Sequence, residues 1–191
     1  MKKQIIALAA AAAFAMPAVS FAQETIEYKV LATSKTSTME KEMNEAGGLG
    51  YRLSAIMGGD TAIGGKEAVA VMTRVAGEKS NIQYKLLATS RTSTMQKEMQ
   101  DAADAGFDYA GQSVFESLLG GREVVVIMSR DSAHPTKGDR YRLLATSMTS
   151  TMEKELKDIG ADGYIALGMT VAKTLVGGKE LVTITRRRGA R

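Results

Sequence analysis

An eight-residue string, Ala-Thr-Ser-x-Thr-Ser-Thr-Met, occurs three times in this chain, at Ala32–Met39, Ala88–Met95 and Ala145–Met152. Hydroxyls at this density can satisfy the free amides of a first helical turn, or hold an oxyanion beside them, where the positive end of the helix dipole favours negative charge. Phosphate, sulfate or carboxylate is the ligand class such a junction suits. The candidate ligand-binding residues are Thr33, Ser34, Thr36, Ser37 and Thr38 in the first copy, Thr89, Ser90, Thr92, Ser93 and Thr94 in the second, and Thr146, Ser147, Thr149, Ser150 and Thr151 in the third. The simpler role is structural: Ser37, Ser93 and Ser150 read as helix caps, with Glu40, Gln96 and Glu153 reaching back in a capping box. That leaves Thr33, Ser34 and Thr38 unexplained.

Covalent and metal chemistry have less support. A hydroxyl nucleophile needs a base, and Ser37 with Lys41 is the nearest pair, yet that serine is already assigned to the cap. The single histidine, His134, stands beside Pro135 as a turn residue would. Glu67, Glu123 and Glu180 flank predicted turns and could gather near a threefold axis. An exported enzyme with a Ser/Thr- or Glu-based site is therefore the alternative to a binding protein. Met39 and Met43, Met95 and Met99, and Met148 and Met152 are each spaced i, i+4, and thioethers select soft ions such as Cu(I). The first two pairs coincide with an apolar helix stripe, so core packing explains them. Asp101, Asp104 and Asp108 fit no EF-hand loop. With no cysteine in the chain, disulfides, thiolate sites and a lipid-modified N-terminal cysteine are excluded. No metal or cofactor is expected. Nor is nucleic acid, since RNA-recognition motifs are absent.

The junctions occupy the same place in a 47-residue unit present three times without internal gaps, at Tyr28–Arg74, Tyr84–Arg130 and Tyr141–Arg187. Such a period is the mark of a repeat architecture. Tyr28–Thr33, Tyr84–Thr89 and Tyr141–Thr146 read as strands. After each junction Met39, Met43 and Ala46, Met95, Met99 and Ala102, or Met152, Leu156 and Ile159 recur at i, i+4, i+7, the stripe of a helix buried on one face. Gly50, Gly106 and Gly163 then read as left-handed helix ends. Two further strands follow in each unit, joined at Gly64-Gly65, Gly120-Gly121 and Gly177-Gly178 as hairpin turns.

The fold class is thus α+β: three tandem β-α-β-β repeats packed as one pseudo-threefold body. Repeat 1 spans 23–75, repeat 2 84–130 and repeat 3 141–191. In the last strand of the second repeat Val124, Val126 and Met128 fall on one face and Val125 and Ile127 on the other, so the helix should cover one side and a neighbouring repeat the other. Between Tyr28 and Glu42, 11 of 15 positions are identical in all three copies, against only Gly50, Gly64, Gly65, Glu67, Val69 and Arg74 across the remaining 32. Some constraint therefore acts on the strand-to-helix junction in particular.

Glu27-Tyr28-Lys29-Val30 at the start, Gly160-Ala161-Asp162-Gly163-Tyr164 at a helix end and a final strand closing in arginine resemble the bacterial family called domain of unknown function 4177. The likeness covers each repeat. Where that family usually has Trp-Glu after the second glycine, this chain has Tyr51-Arg52, Phe107-Asp108 and Tyr164-Ile165. The family has no assigned activity, so the resemblance implies a fold and no chemistry.

Met1-Lys2-Lys3 and the apolar run from Ile5 to Met16 read as a secretory signal peptide, residues 1–22, cleaved after Ala22 in Ser20-Phe21-Ala22. The expected location is periplasmic or secreted, with no integral membrane segment after cleavage. Lys2 and Lys3 account for two of the four net positive charges, and the excess in Arg186-Arg187-Arg188 and Arg191 reads as a solvated strand end. The functional expectation is an exported, non-catalytic repeat protein that binds a small anion or a protein partner.

Overall fold

The computed structural model describes residues 24–61, 65–89, 91–116, 122–136, 138–173 and 179–189. The signal segment, Ser90, Arg191 and the turn glycines Gly64, Gly120, Gly121, Gly177 and Gly178 lie outside them. The first unit comprises β1 (Ile26–Thr33), α1 (Thr36–Gly48), β2 (Arg52–Thr61) and β3 (Gly65–Val75). The second has β4 (Ile82–Thr89), α2 (Thr92–Asp104), β5 (Asp108–Glu116) and β6 (Arg122–Asp131), and the third β7 (Arg140–Thr146), α3 (Thr149–Ala161), β8 (Ile165–Lys173) and β9 (Lys179–Arg187). Each unit forms its own antiparallel three-stranded sheet, ordered β1-β3-β2, β4-β6-β5 and β7-β9-β8, so the last strand of the unit is always central. The α+β repeat expectation holds.

Each helix ends alike. The amide of Tyr51 donates to Ala46 O (3.1 Å) and that of Gly50 to Gly47 O (2.9 Å), a Schellman closure repeated at Phe107 and Gly106 and at Tyr164 and Gly163. Gly50, Gly106 and Gly163 have φ of +89°, +89° and +82°, the left-handed region that only glycine enters without strain. The arginine closing each unit explains its own invariance. Arg74 donates to the last helix carbonyl at Leu49 (2.7 Å), Arg130 to Ala105 (2.9 Å) and Arg187 to Asp162 (3.4 Å), and each guanidinium lies over the aromatic ring that follows the glycine.

The helices bury Met39, Met43 and Ala46, Met95, Met99 and Ala102, and Met152 and Ile159, as the periodicity predicts, while Leu156 of the third stripe is only half-buried. The central strand β6 is apolar on both sides. Val124, Val126 and Met128 face α2 in one core, while Val125 and Ile127 belong to a second core with Met39, Met43, Ala46 and Met72 of the first unit. The units are therefore joined through shared cores. α1 packs on β4, α2 on β7, β2 on β5 and β5 on β8, so the second unit stands between the first and the third.

Because the cores cross unit boundaries, heat or urea should unfold the chain in one cooperative transition, and a peptide spanning 28–74 should not fold by itself. Calorimetry of the chain and circular dichroism of the peptide test this; three separate transitions would contradict it.

Candidate functional site

The structure places the serine-threonine junctions at the three helix starts, but the serines do not cap the helices. The N-cap residues are Lys35, Arg91 and Met148, in extended conformation, with no side chain capping the helix. Ser37, Ser93 and Ser150 sit two residues past the cap, at the second helical position, and are exposed. The cause is the threonine before them: Thr33 Oγ1 accepts the Lys35 amide (3.2 Å), Thr89 Oγ1 that of Arg91 (3.2 Å) and Thr146 Oγ1 that of Met148 (3.3 Å). This turn makes Lys35, not Ser37, the last extended residue. Thr33, Thr89 and Thr146 are thereby explained structurally.

Glu40 and Gln96 do not reach back to a cap either. They reach forward into the next unit: Glu40 Oε2 accepts the Leu86 amide of β4 (2.8 Å) and Gln96 Oε1 the Leu143 amide of β7 (3.1 Å). One turn on, Asn44 exchanges two bonds with Tyr84, donating to its carbonyl and accepting its amide, both at 2.9 Å. Gln100 accepts the Tyr141 amide (3.2 Å) and donates to the Asp139 carbonyl (3.1 Å). A strand at a sheet edge presents unpaired backbone groups, and here the preceding helix pairs them. The tyrosine opening the next unit completes the docking. Each second strand carries a bulge, at Leu53/Ala55, Tyr109/Gly111 and Ala166/Gly168. Tyr84 Oη accepts the Leu53 amide there (2.8 Å) and donates to Tyr51 O (3.2 Å), while Tyr141 Oη accepts the Tyr109 amide (2.9 Å) and donates to Asp108 (2.7 Å). Burial pushes the Tyr84 hydroxyl up to about 12.

A groove of about 370 Å³ lies beside the first junction, lined by Thr36, Ser37, Leu86 and the carboxylate residues Glu40 and Glu98. Among its described lining residues, no hydroxyl of another junction appears, and two carboxylates make it a poor anion seat. The other chemistry-bearing residues are engaged elsewhere. Asp101 pairs with Lys97, Asp104 with Arg140, and Asp131 with Arg52 and, at 3.7 Å, with His134. Glu67, Glu123 and Glu180 stand in three different sheets. Met39, Met43, Met95, Met99 and Met152 are buried, Met152 also accepting a hydrogen bond from Thr183 on its sulfur, and Met148 is exposed. Among the described residues no three His, Cys, Asp or Glu group as an ion would need, and no helix is long and apolar enough to cross a membrane.

The arginine run is not a solvated strand end. Arg186 is buried against Asp108 (2.6 Å), Arg188 bridges Asp108 and Asp139 (both 3.2 Å), and Arg187 stacks on Tyr164. Burial by itself would raise the Asp108 carboxyl, but the Tyr141 hydroxyl and the Arg186 and Arg188 guanidiniums outweigh it and hold it below the ordinary carboxylate range.

What remains open are the two ends. Among the described residues no unit packs ahead of the first, and Tyr28 is 69% exposed and Val30 63%, whereas the counterparts of Tyr28, Tyr84 and Tyr141, are at 4% and 3%. The register sets Ile26, Tyr28, Val30 and Ala32 on one face with Val75, Thr73, Val71 and Val69, and Met57 of β2 is also exposed there. Among the described residues no unit packs beyond the third, and Ile165, Met169 and Val171 of β8 are exposed. Identity among the copies gives no sign of these end faces, because Tyr28 is the same residue as Tyr84 and Tyr141. Their signal lies in the counterparts that differ. Comparison of the chain with protein-family models, with curated proteins and with solved structures gives no match.

Ser37→Ala should change stability by less than about 0.5 kcal/mol, whereas Glu40→Ala, which strands the Leu86 amide, should cost about 1–3 kcal/mol; urea denaturation of both variants decides. A second expectation concerns acid. Since the folded state lowers the proton affinity of Asp108, its contribution is complete above the unfolded carboxylate range near pH 4 and is lost as pH falls through and below it. Stability measured from about pH 6 to pH 2 should therefore fall more steeply in the wild type than in Asp108→Asn.

Proposed function

We propose that this is an exported, non-catalytic repeat protein that acts by binding a protein partner through the uncovered face of its first sheet. The observation that carries the proposal is the exposure of Tyr28 and Val30 on a face shared with Ile26, Ala32, Val69, Val71, Thr73 and Val75, when the same face of the second unit is buried at Ile82, Tyr84, Val125 and Ile127. A contiguous exposed apolar patch of this kind marks an interaction surface rather than a solvated one. β1 is an edge of its sheet, and the amides of Tyr28 and Val30 stand where those of Tyr84 and Leu86 meet Asn44 and Glu40, which suits addition of backbone-binding groups from outside. The secretory signal read from Met1 to Ala22 supports export.

The hydroxyl junctions support this reading better than an anion site. Thr33, Thr89 and Thr146 build the turn before each helix, and the groove beside Thr36 and Ser37 is shared with Glu40 and Glu98. The test sets the two ligand classes against each other. Phosphate, sulfate and citrate titrated to millimolar concentration should leave the melting temperature unchanged, and Val30→Arg should abolish partner capture while retaining the wild-type fold and melting temperature. A saturable rise in melting temperature with one of these anions, lost in the variant carrying Thr36→Ala and Ser37→Ala, would transfer the function to the junction.

A further inference from the structure

Building on that binding reading, we infer that the partner is a second copy of this chain, docked head to tail so that α3 of one copy receives β1 of the next and β8 receives β2, as α1 receives β4 and β2 receives β5 within the chain. Inside the chain the same docking is made twice, from the first unit to the second and from the second to the third. A third docking would join the two free ends, and the residues standing there match one another position by position.

The first match is steric. At the first docking α1 approaches the start of β4 at a glycine, where a Cβ on Gly47 would lie 2.0 Å from the Ile82 carbonyl oxygen. The corresponding pair at the second docking is Ala103 with Asp139. At the chain ends it is Gly160 with Ile26, glycine and isoleucine again. Gly160 has open space around it, and Ile26 is exposed.

The second match is electrostatic. One position of the docking carries Arg52 against Asp131 (2.9 Å) in the first contact and, with the charges exchanged, Asp108 against Arg188 (3.2 Å) in the second. At the ends the same position carries Ile165 and Val75, two apolar residues, and Ile165 is 55% exposed. Charge is present where the contact is internal and absent where the surface meets solvent. That is the reverse of what an unoccupied surface requires, and it pairs each end with the other.

The third match concerns volume and hydrogen bonds. Gly111 receives Leu53 and Ile56, and Gly168 receives Tyr109 and Gln112; at the ends Ala55 would receive Ala166 and Met169, with the small Ala166 making room for the added methyl. Glu153 occupies the position of Glu40 and Gln96 and suits the Val30 amide. Tyr28 stands where Tyr84 and Tyr141 do and suits the Ala166 amide at the third bulge. Lys157 replaces Asn44 and Gln100, so it can donate to the Tyr28 carbonyl but cannot accept from its amide; in the single copy it is held by Glu153 at 2.5 Å. Since the two surfaces differ, the contact is heterologous and propagates into a ring or a filament.

Sedimentation velocity of the purified protein across about 1–200 μM tests the inference. Mass should rise with concentration in the wild type. Ile165→Asp alone, or Val75→Arg alone, should weaken association at least about tenfold by facing a charge with an apolar residue, without changing circular dichroism or melting temperature. The double variant Ile165→Asp, Val75→Arg recreates the Asp108–Arg188 pairing and should restore association. A wild type that stays monomeric throughout, or association indifferent to both single substitutions, overturns the inference. If the wild type is monomeric yet Val30→Arg still abolishes capture of another protein, the binding reading stands and only self-docking is lost.

Discussion

One helix cannot cover both sides of a sheet, and in this molecule both sides are apolar. Each unit has a central strand flanked by two edges, and its own helix lies on a single face. Val125 and Ile127 would face water if the second unit stood by itself. Joining the units is therefore a condition of folding rather than a later event. Everything else about the contact, including the side-chain amides that pair the edge of β4 and the tyrosine seated in the preceding bulge, refines a junction that burial already demands.

The positions kept identical and the positions allowed to vary divide along this line. Gly50 with Arg74, and Thr33 with the turn it closes, serve the interior of a unit, so every copy needs them alike. Docking positions meet a different neighbour in each copy and differ accordingly: Arg52, Asp108 and Ile165 are equivalent, as are Val75, Asp131 and Arg188. Tyr28, Tyr84 and Tyr141 belong to both groups. Two are anchored in bulges, while the first keeps the same side chain in the open.

The elements were legible because the signals for them are local. Period, glycine ends and apolar stripes specify strands and helices from a few neighbouring residues, and the alternation in β6 even announced a second buried face. What escaped was long-range in sequence. Glu40 and Leu86 are 46 residues apart, and a glutamate three positions after a serine looks the same whether it caps its own helix or bonds the next strand. The arginine run misled for a related reason, since Asp108 lies 78 residues before Arg186. Hydroxyl density suggests ligand chemistry because the Thr33 turn moves the helix start two residues ahead of the one that a Ser37 cap implies, which no periodicity records.

The exchanged charges at the two internal contacts also limit how the gene can shorten. Near-identical junction segments make unequal recombination easy to picture, and its simplest product lacks the middle unit. In that product Arg52 would meet Arg188 where each now has an aspartate, placing two like charges at one position of the contact. The polarity of one ion pair thus acts as a proofreading mark on copy number, written into the protein rather than the DNA.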